Sequence, residues 1–135
     1  GDSGSAYVFT SDSGSWVQAD KVVASDAYTG DYFGVMVSGL SSTSFLIGAT
    51  YDDDMGSSSG SAYVFTRCVS STWLQSSKIV PSDGASADYF ANGLSALYDD
   101  IFVASANYDS CCGMTRPGSA YVFSQSSNSS WLRSG

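Results

Sequence analysis

Histidine and glutamate are both absent from this chain of 135 residues. All 13 acidic residues are aspartate, and lysine and arginine together number five. Without histidine, neither a Ser-His-Asp nor a Cys-His nucleophile can be assembled. Without glutamate, an acid–base pair must be two aspartates, and these fall in repeated loops, not in one asymmetric pocket. No glycine-rich loop opens a helix to cradle a phosphate. The chain therefore reads as a non-enzyme. Basic residues are too few for a stripe that would neutralise phosphates, and the net charge of −8 excludes a nucleic-acid partner. The same charge disfavours an anionic membrane surface. No apolar run approaches the ~20 residues that cross a bilayer, so no membrane insertion is expected. The first residues, Gly1-Asp2-Ser3-Gly4-Ser5, are neither an initiator methionine nor a signal peptide. They lead to the expectation of a processed chain or a piece of a longer one.

What is abundant points one way. There are 30 serines, 14 glycines and 14% aromatic residues. Serine, aspartate and glycine compete for the backbone in turns, whereas aromatic and β-branched residues favour strands. The composition indicates short strands joined by tight loops, an all-β protein.

The chain also repeats itself. Gly-Ser-Ala-Tyr-Val-Phe occurs at Gly4–Phe9, Gly60–Phe65 and Gly118–Phe123, and a tryptophan follows each copy, at Trp16, Trp73 and Trp131. Ser25-Asp26 matches Ser82-Asp83, Lys21 matches Lys78, and Asp31-Tyr32-Phe33 matches Asp88-Tyr89-Phe90. Phe45–Asp52 matches Phe102–Asp109, all at a period of about 57 residues. One period holds four strand candidates: A over Phe33–Ser38, B over Ser44–Thr50, C over Ser61–Thr66 and D over Trp73–Ile79. Four antiparallel strands per repeat make a β-propeller blade, whereas a sandwich would need no repeat at all.

These residues resemble the FG-GAP repeats of integrin α-subunit heads and many extracellular proteins. Phe33-Gly34 and Ile47-Gly48-Ala49 match the motifs that name the family, and Gly60–Phe65 its third strand. The second copy departs, with Phe90-Ala91 and Ala104-Ser105-Ala106. The resemblance implies strand A innermost, strand D outermost, and an extracellular or cell-surface location. Tyr63 and Phe65, like Tyr7 and Phe9, share one strand face and are expected to fill the gap between blades.

The expected organisation is about two and a half blades. Residues 1–32 form a half blade of outer strands (Ser5–Thr10 and Trp16–Val23) with its linking loop, residues 33–89 a complete blade, and residues 90–135 a third, trimmed at its outer strand. Propellers close with about 4–8 blades, so two apolar blade faces need a neighbour. Hence two functions are weighed: a structural repeat protein whose blades associate with other copies in a fibre or surface assembly, or a fragment of a larger closed propeller. The latter would bind a protein or glycan ligand, as in cell adhesion, with calcium in play.

The B–C and D–A loops share one end, which collects Asp26, Asp31, Asp52, Asp53, Asp54, Asp83, Asp88 and Asp109 against Arg116 alone. Hard cations take several carboxylate oxygens, which nominates Ca2+ at Asp31, Asp52 and Asp54. The bland alternative is a solvated rim of aspartates that accept bonds in turns. The calcium loop implied by the resemblance, D-x-D-x-D-G between strands A and B, has no counterpart in Gly39–Thr43 or Leu97–Asp100. Of the three cysteines, Cys68 begins a C–D turn while Cys111 and Cys112 lie in a B–C loop at the opposite end. A strand of ~6 residues separates the ends by ~20 Å, too far for a bridge within one blade. A vicinal Cys111–Cys112 ring, free thiols or an interchain disulfide remain. Asn128-Ser129-Ser130 is an N-glycosylation triplet in an expected exposed turn.

Overall fold

The computed structural model describes residues 2–110 and 113–134. Ten strands form three antiparallel sheets and no helix is present among the described residues. A hairpin of β1 (Ala6–Asp12) and β2 (Ser15–Val22) comes first. A four-stranded meander follows, of β3 (Met36–Ser41), β4 (Ser44–Ala49), β5 (Ser61–Arg67) and β6 (Trp73–Ile79). The second meander contains β7 (Phe90–Tyr98), β8 (Ile101–Ala106), β9 (Ser119–Gln125) and β10 (Trp131–Arg133). Each meander is a four-stranded antiparallel blade of propeller type. The repeat extends to an irregularity: the β1–β2 register shifts at Val8/Phe9 and the β5–β6 register at Val64/Phe65, the corresponding place.

Strand A begins later than its sequence suggests. Phe33-Gly34 precedes β3 in a turn, with Gly34 at φ 98° and the Val35 N–H donating to the Tyr32 carbonyl. That turn brings Phe33 onto the preceding hairpin, where its N–H donates to the Ser3 carbonyl at 2.9 Å. The second blade repeats the bond, from Phe90 N–H to the Ser59 carbonyl. There Ala91 holds the left-handed position at φ 63°.

Each blade has two different faces. Ile47, Tyr63 and Phe65 turn toward the N-terminal hairpin and pack with Val22, Ala24 and Phe33. Leu40, Leu46 and Val64 turn the other way, against Phe90, Phe102, Tyr121 and Phe123 of the second blade. The aromatic face has one architecture in both blades. Phe45 stacks on Phe65 at 5.6 Å and meets Trp73 at 4.6 Å, while Phe102 stacks on Phe123 at 5.1 Å and meets Trp131 at 4.9 Å. Phe33 and Phe90 each contribute an edge to the two rings beside them. Such offset and edge-to-face rings contribute ~0.5–1.5 kcal/mol per pair beyond burial. A blade thus offers aromatic rings to its predecessor and aliphatic side chains to its successor, which is a heterologous contact.

Candidate functional site

The loops preceding strand A and following strand B meet at one end of the blades, and aspartates organise them. Asp31 Oδ2 accepts the Tyr28 N–H at 2.7 Å, and Asp88 Oδ2 accepts the Ala85 N–H at 2.7 Å. Asp52 accepts from the Asp54 N–H and Asp53 from the Ser58 N–H. These are turn-forming bonds of short side chains to nearby backbone.

Beside these turns Asp26, Asp52 and Asp54 bring their carboxylates within 4.8 Å of one another. The Lys78 ammonium, reaching in from β6, lies among them: 2.5 Å from Asp26, 2.9 Å from Asp52 and 2.6 Å from Asp54. Tyr63 OH donates to Asp52 at 2.8 Å and its ring lies beneath the ammonium. Of the three carboxylates, Asp52 alone is buried. Burial would raise its pKa, but bonds from Lys78, Tyr63 and the Asp54 N–H outweigh it and hold the carboxyl below the ordinary range. For Lys78, burial opposes the charge, yet the surrounding carboxylates push the ammonium pKa well above the usual lysine value. Burial and the Asp52 bond likewise push the Tyr63 hydroxyl up, so it stays a donor.

The second blade carries a reduced version. Tyr121 OH donates to Asp109 at 2.9 Å, and Arg133 pairs with Asp83 at 2.7 Å while lying over the Tyr121 ring. Asp83 is held below the ordinary value chiefly by that Arg133 bond.

Three carboxylates at this spacing are a donor set suited to a hard cation. Ammonium contacts to all three make Lys78 the cation this cluster holds. The tight hairpin between β3 and β4, where Ser41 pairs with Ser44, carries no carboxylate. Of the residues nominated for Ca2+, Asp52 and Asp54 do converge. Asp26 takes the third place, because Asp31 is turned into its own loop by the Tyr28 N–H.

Asp31 and Asp88 differ from Asp52 in sign. Burial raises the pKa of each, reinforced by the charges of Asp52 and Asp53 on Asp31 and of Asp109 and Asp83 on Asp88. A carboxyl raised in the folded state contributes stability below its ordinary value of 3.8 and loses it as pH rises through the raised one. Asp31→Asn and Asp88→Asn keep an oxygen for the turn bond, so each is expected to raise the thermal midpoint at pH 7. That gain should vanish in acid, where the wild-type carboxyl is itself protonated. Equal midpoints for variant and wild type at pH 7 would contradict this.

Nearer the inner strands, four tyrosines form a ribbon across the two blades: Tyr32–Tyr51 at 5.0 Å, Tyr51–Tyr89 at 5.4 Å and Tyr89–Tyr108 at 5.3 Å between centroids. Tyr32 and Tyr89 hold left-handed backbone, φ 55° and 54°. A cleft of about 510 Å3 opens along Tyr51, Tyr89 and Tyr108, with Thr50, Asn92 and Asn107 in its wall. Sequence reasoning missed both the ribbon and the placement of Lys78. The signal was there, since Asp-Tyr-Phe and Ala-x-Tyr-Asp recur in loops, where an aromatic residue has no strand core to fill.

Cys68 carries a free thiol in the β5–β6 turn, while Cys111 and Cys112 lie outside the described residues. Asn128 is exposed in the β9–β10 turn, its Oδ1 accepting from Ser126 Oγ and the Ser130 N–H.

The FG-GAP repeat family model matches residues 16–65 and 73–123. Each match starts at the outer strand of one sheet and ends on the third strand of the next, so the sequence repeat straddles two blades. Comparison with curated proteins returns no match. Repeats of this family form a binding fold that typically occurs in extracellular proteins. No helix of the described residues is long and apolar enough to cross a membrane.

Proposed function

This chain belongs to the FG-GAP repeat family, and from that premise we propose that it is a non-enzymatic, extracellular structural repeat protein whose end faces bind further blades, as successive copies in a fibre or surface assembly. One observation carries the reading: the two end faces are the uncovered halves of the contact already made inside the chain. At the N-terminal end Tyr7, Phe9 and Trp16 are 51%, 52% and 74% exposed, whereas their counterparts Tyr63 and Phe65 are buried and Trp73 is half-buried. At the other end Leu97, counterpart of the buried Leu40, is 54% exposed, and Val103 and Val122 are only half-buried where Leu46 and Val64 are fully so. β1 and β5 share the sequence Ala-Tyr-Val-Phe-Thr, and the contrast in exposure is set by a neighbour, not by the residues.

Aromatic face against aliphatic face is a head-to-tail contact, which extends or closes a ring according to its rotation. Specific interfaces bury ~800 Å2 per partner, and apolar burial contributes ~25 cal/mol per Å2 before association costs. Sedimentation of the 135-residue chain should show concentration-dependent association. Leu97→Asp, which puts a charge on the aliphatic face, should weaken it at least tenfold with little change in thermal midpoint. A monodisperse monomer at every concentration, or association indifferent to Leu97→Asp, would overturn the reading. The exposed Asn128 triplet makes a glycoprotein the natural form, checked by a mass loss on enzymatic deglycosylation of material from the source.

The second reading, calcium-dependent ligand binding, draws on the Asp26, Asp52 and Asp54 geometry. Calcium would there compete with Lys78 for the same oxygens. A thermal midpoint that is equal in calcium and in chelator leaves the cluster as a lysine-closed clamp, since a ligand of the folded state must raise it.

A further inference from the structure

The geometry points to the cleft along Tyr51, Tyr89 and Tyr108 as a binding site for a neutral saccharide, a ligand site separate from the end faces that carry association.

Three features of the cleft are those of a built site. The first is the ribbon. Tyr51 and Tyr108 are exposed and Tyr89 half-buried, each ring within 5.4 Å of the next. Tyr89 keeps its position at a φ of 54°, where a bulky aromatic residue carries backbone strain. Such strain persists only when the surroundings impose it, and it gathers at ligand clamps. Here the Asp88 turn and the Tyr89 N–H bond to Ser58 impose it.

The second is Thr50. It is 3% exposed, lines the cleft, and its Oγ1 has no hydrogen-bond partner. A buried hydroxyl left unpaired carries a desolvation cost, which a ligand hydroxyl placed in the cleft would remove. The third is the pair of side-chain amides. Asn92 and Asn107 stand on the wall, and no bond to either amide exists among the described residues, so both can donate and accept toward a ligand.

Together these select the ligand class. The negative face of a tyrosine ring attracts polarised C–H groups, and a pyranose presents such a face together with hydroxyls around its rim. Amide and hydroxyl groups pair with those hydroxyls, a pattern of few fixed polar groups on an apolar floor. Charge argues for neutrality. Arg116, the one cation of the wall among the described residues, lies over the Tyr108 ring at 5.6 Å, and the net charge of −8 repels polyanions. Asp31 and Asp88 accept loop N–H groups, Asp52 and Asp109 accept the Tyr63 and Tyr121 hydroxyls, and none of the four lines the cleft to select a cation.

The test is calorimetric titration of the intact chain with cellohexaose and mannohexaose as neutral probes. Hexagalacturonate serves as the acidic one and a proline-rich decapeptide as the competitor that also docks on tyrosine. Saturable binding of a neutral hexasaccharide in the millimolar range or tighter is expected. Tyr51→Ala and Tyr108→Ala should each weaken it about tenfold. Thr50→Val keeps the shape but removes the hydroxyl, and should weaken it several-fold with an unchanged or higher thermal midpoint, which separates lost binding from lost folding. No heat from either neutral probe, binding that all three substitutions leave intact, or binding of only the acidic probe or the peptide would overturn the proposal.

Discussion

Gly60→Ala is expected to lower stability by about 3–4 kcal/mol, a shift of roughly 10 °C or more in thermal midpoint for a chain of this size. Two costs add. Gly60 sits at φ 86°, and left-handed backbone costs an L-residue ~1–2 kcal/mol. Its new Cβ would also fall 2.2 Å from the Phe90 carbonyl oxygen, backbone of the next blade, and overpacking of that kind costs ~1–3 kcal/mol. The same glycine in the last copy separates the terms. Gly118 has φ 77°, but its Cβ would approach the Asn107 carbonyl only to 3.1 Å, so Gly118→Ala should cost about 1–2 kcal/mol. Gly39, on the exposed side of β3, has nothing within 4 Å of a Cβ and no left-handed φ. Gly39→Ala should stabilise by about 0.5–1 kcal/mol by restricting the unfolded chain. Chemical denaturation of the three variants checks the order. Equal losses at Gly60 and Gly118 would mean that the Phe90 backbone is not the obstacle.

The architecture was legible in the residues and the site less so, because the first rests on the repeat and the second on contacts between repeats. A period of about 57 with one tryptophan per copy leaves few ways to place four strands, and β6 begins and ends where the pattern puts it. Strand A was misjudged at its start because Phe33-Gly34 looks like strand but works as a turn. Phe33 is apolar because its ring packs between Val22 and Ala24 of the preceding unit and Tyr63 and Phe65 of its own sheet, not because it lies in a strand. The site shows the same limit. Asp31, Asp52 and Asp54 are equally acidic in sequence, and only the bond from the Tyr28 N–H removes Asp31 from the group. Lys78 repeats Lys21, yet a repeat spacing cannot reveal that a side chain from the outer strand reaches across Tyr63 to a loop of the previous unit. Contacts between repeats are what a repeat pattern leaves unwritten.

Lys78→Met tests that contact. It leaves Asp26, Asp52 and Asp54 facing one another with no cation between them. Removing one partner of a buried pair costs ~3–5 kcal/mol. Asp26 and Asp54 are 42% and 52% exposed, and water screens them, so the cost falls mainly on Asp52 and a loss of about 2–3 kcal/mol is expected. Lys21→Met is the control. Lys21 lies over the Tyr7 ring on the open hairpin, as Lys78 lies over Tyr63, but among the described residues no carboxylate pairs with it, and its loss should stay within ~0.5 kcal/mol. Acidity should reproduce the substitution. Asp52 has a depressed folded pKa, so its contribution is present above the ordinary 3.8 and is lost as pH falls through the folded value. Lys78 has a raised one, so its contribution is complete below the ordinary 10.5 and is lost only as pH rises through the folded value. The difference between wild type and Lys78→Met should therefore be flat between those limits and shrink below about pH 4, as Asp52 takes up its proton. Asp52→Asn in the Lys78→Met background should recover part of the loss, because it removes the stranded charge and keeps an oxygen for Tyr63. A double variant as unstable as the sum of the two single ones would show that Lys78 acts through its aliphatic stem and not through the aspartates.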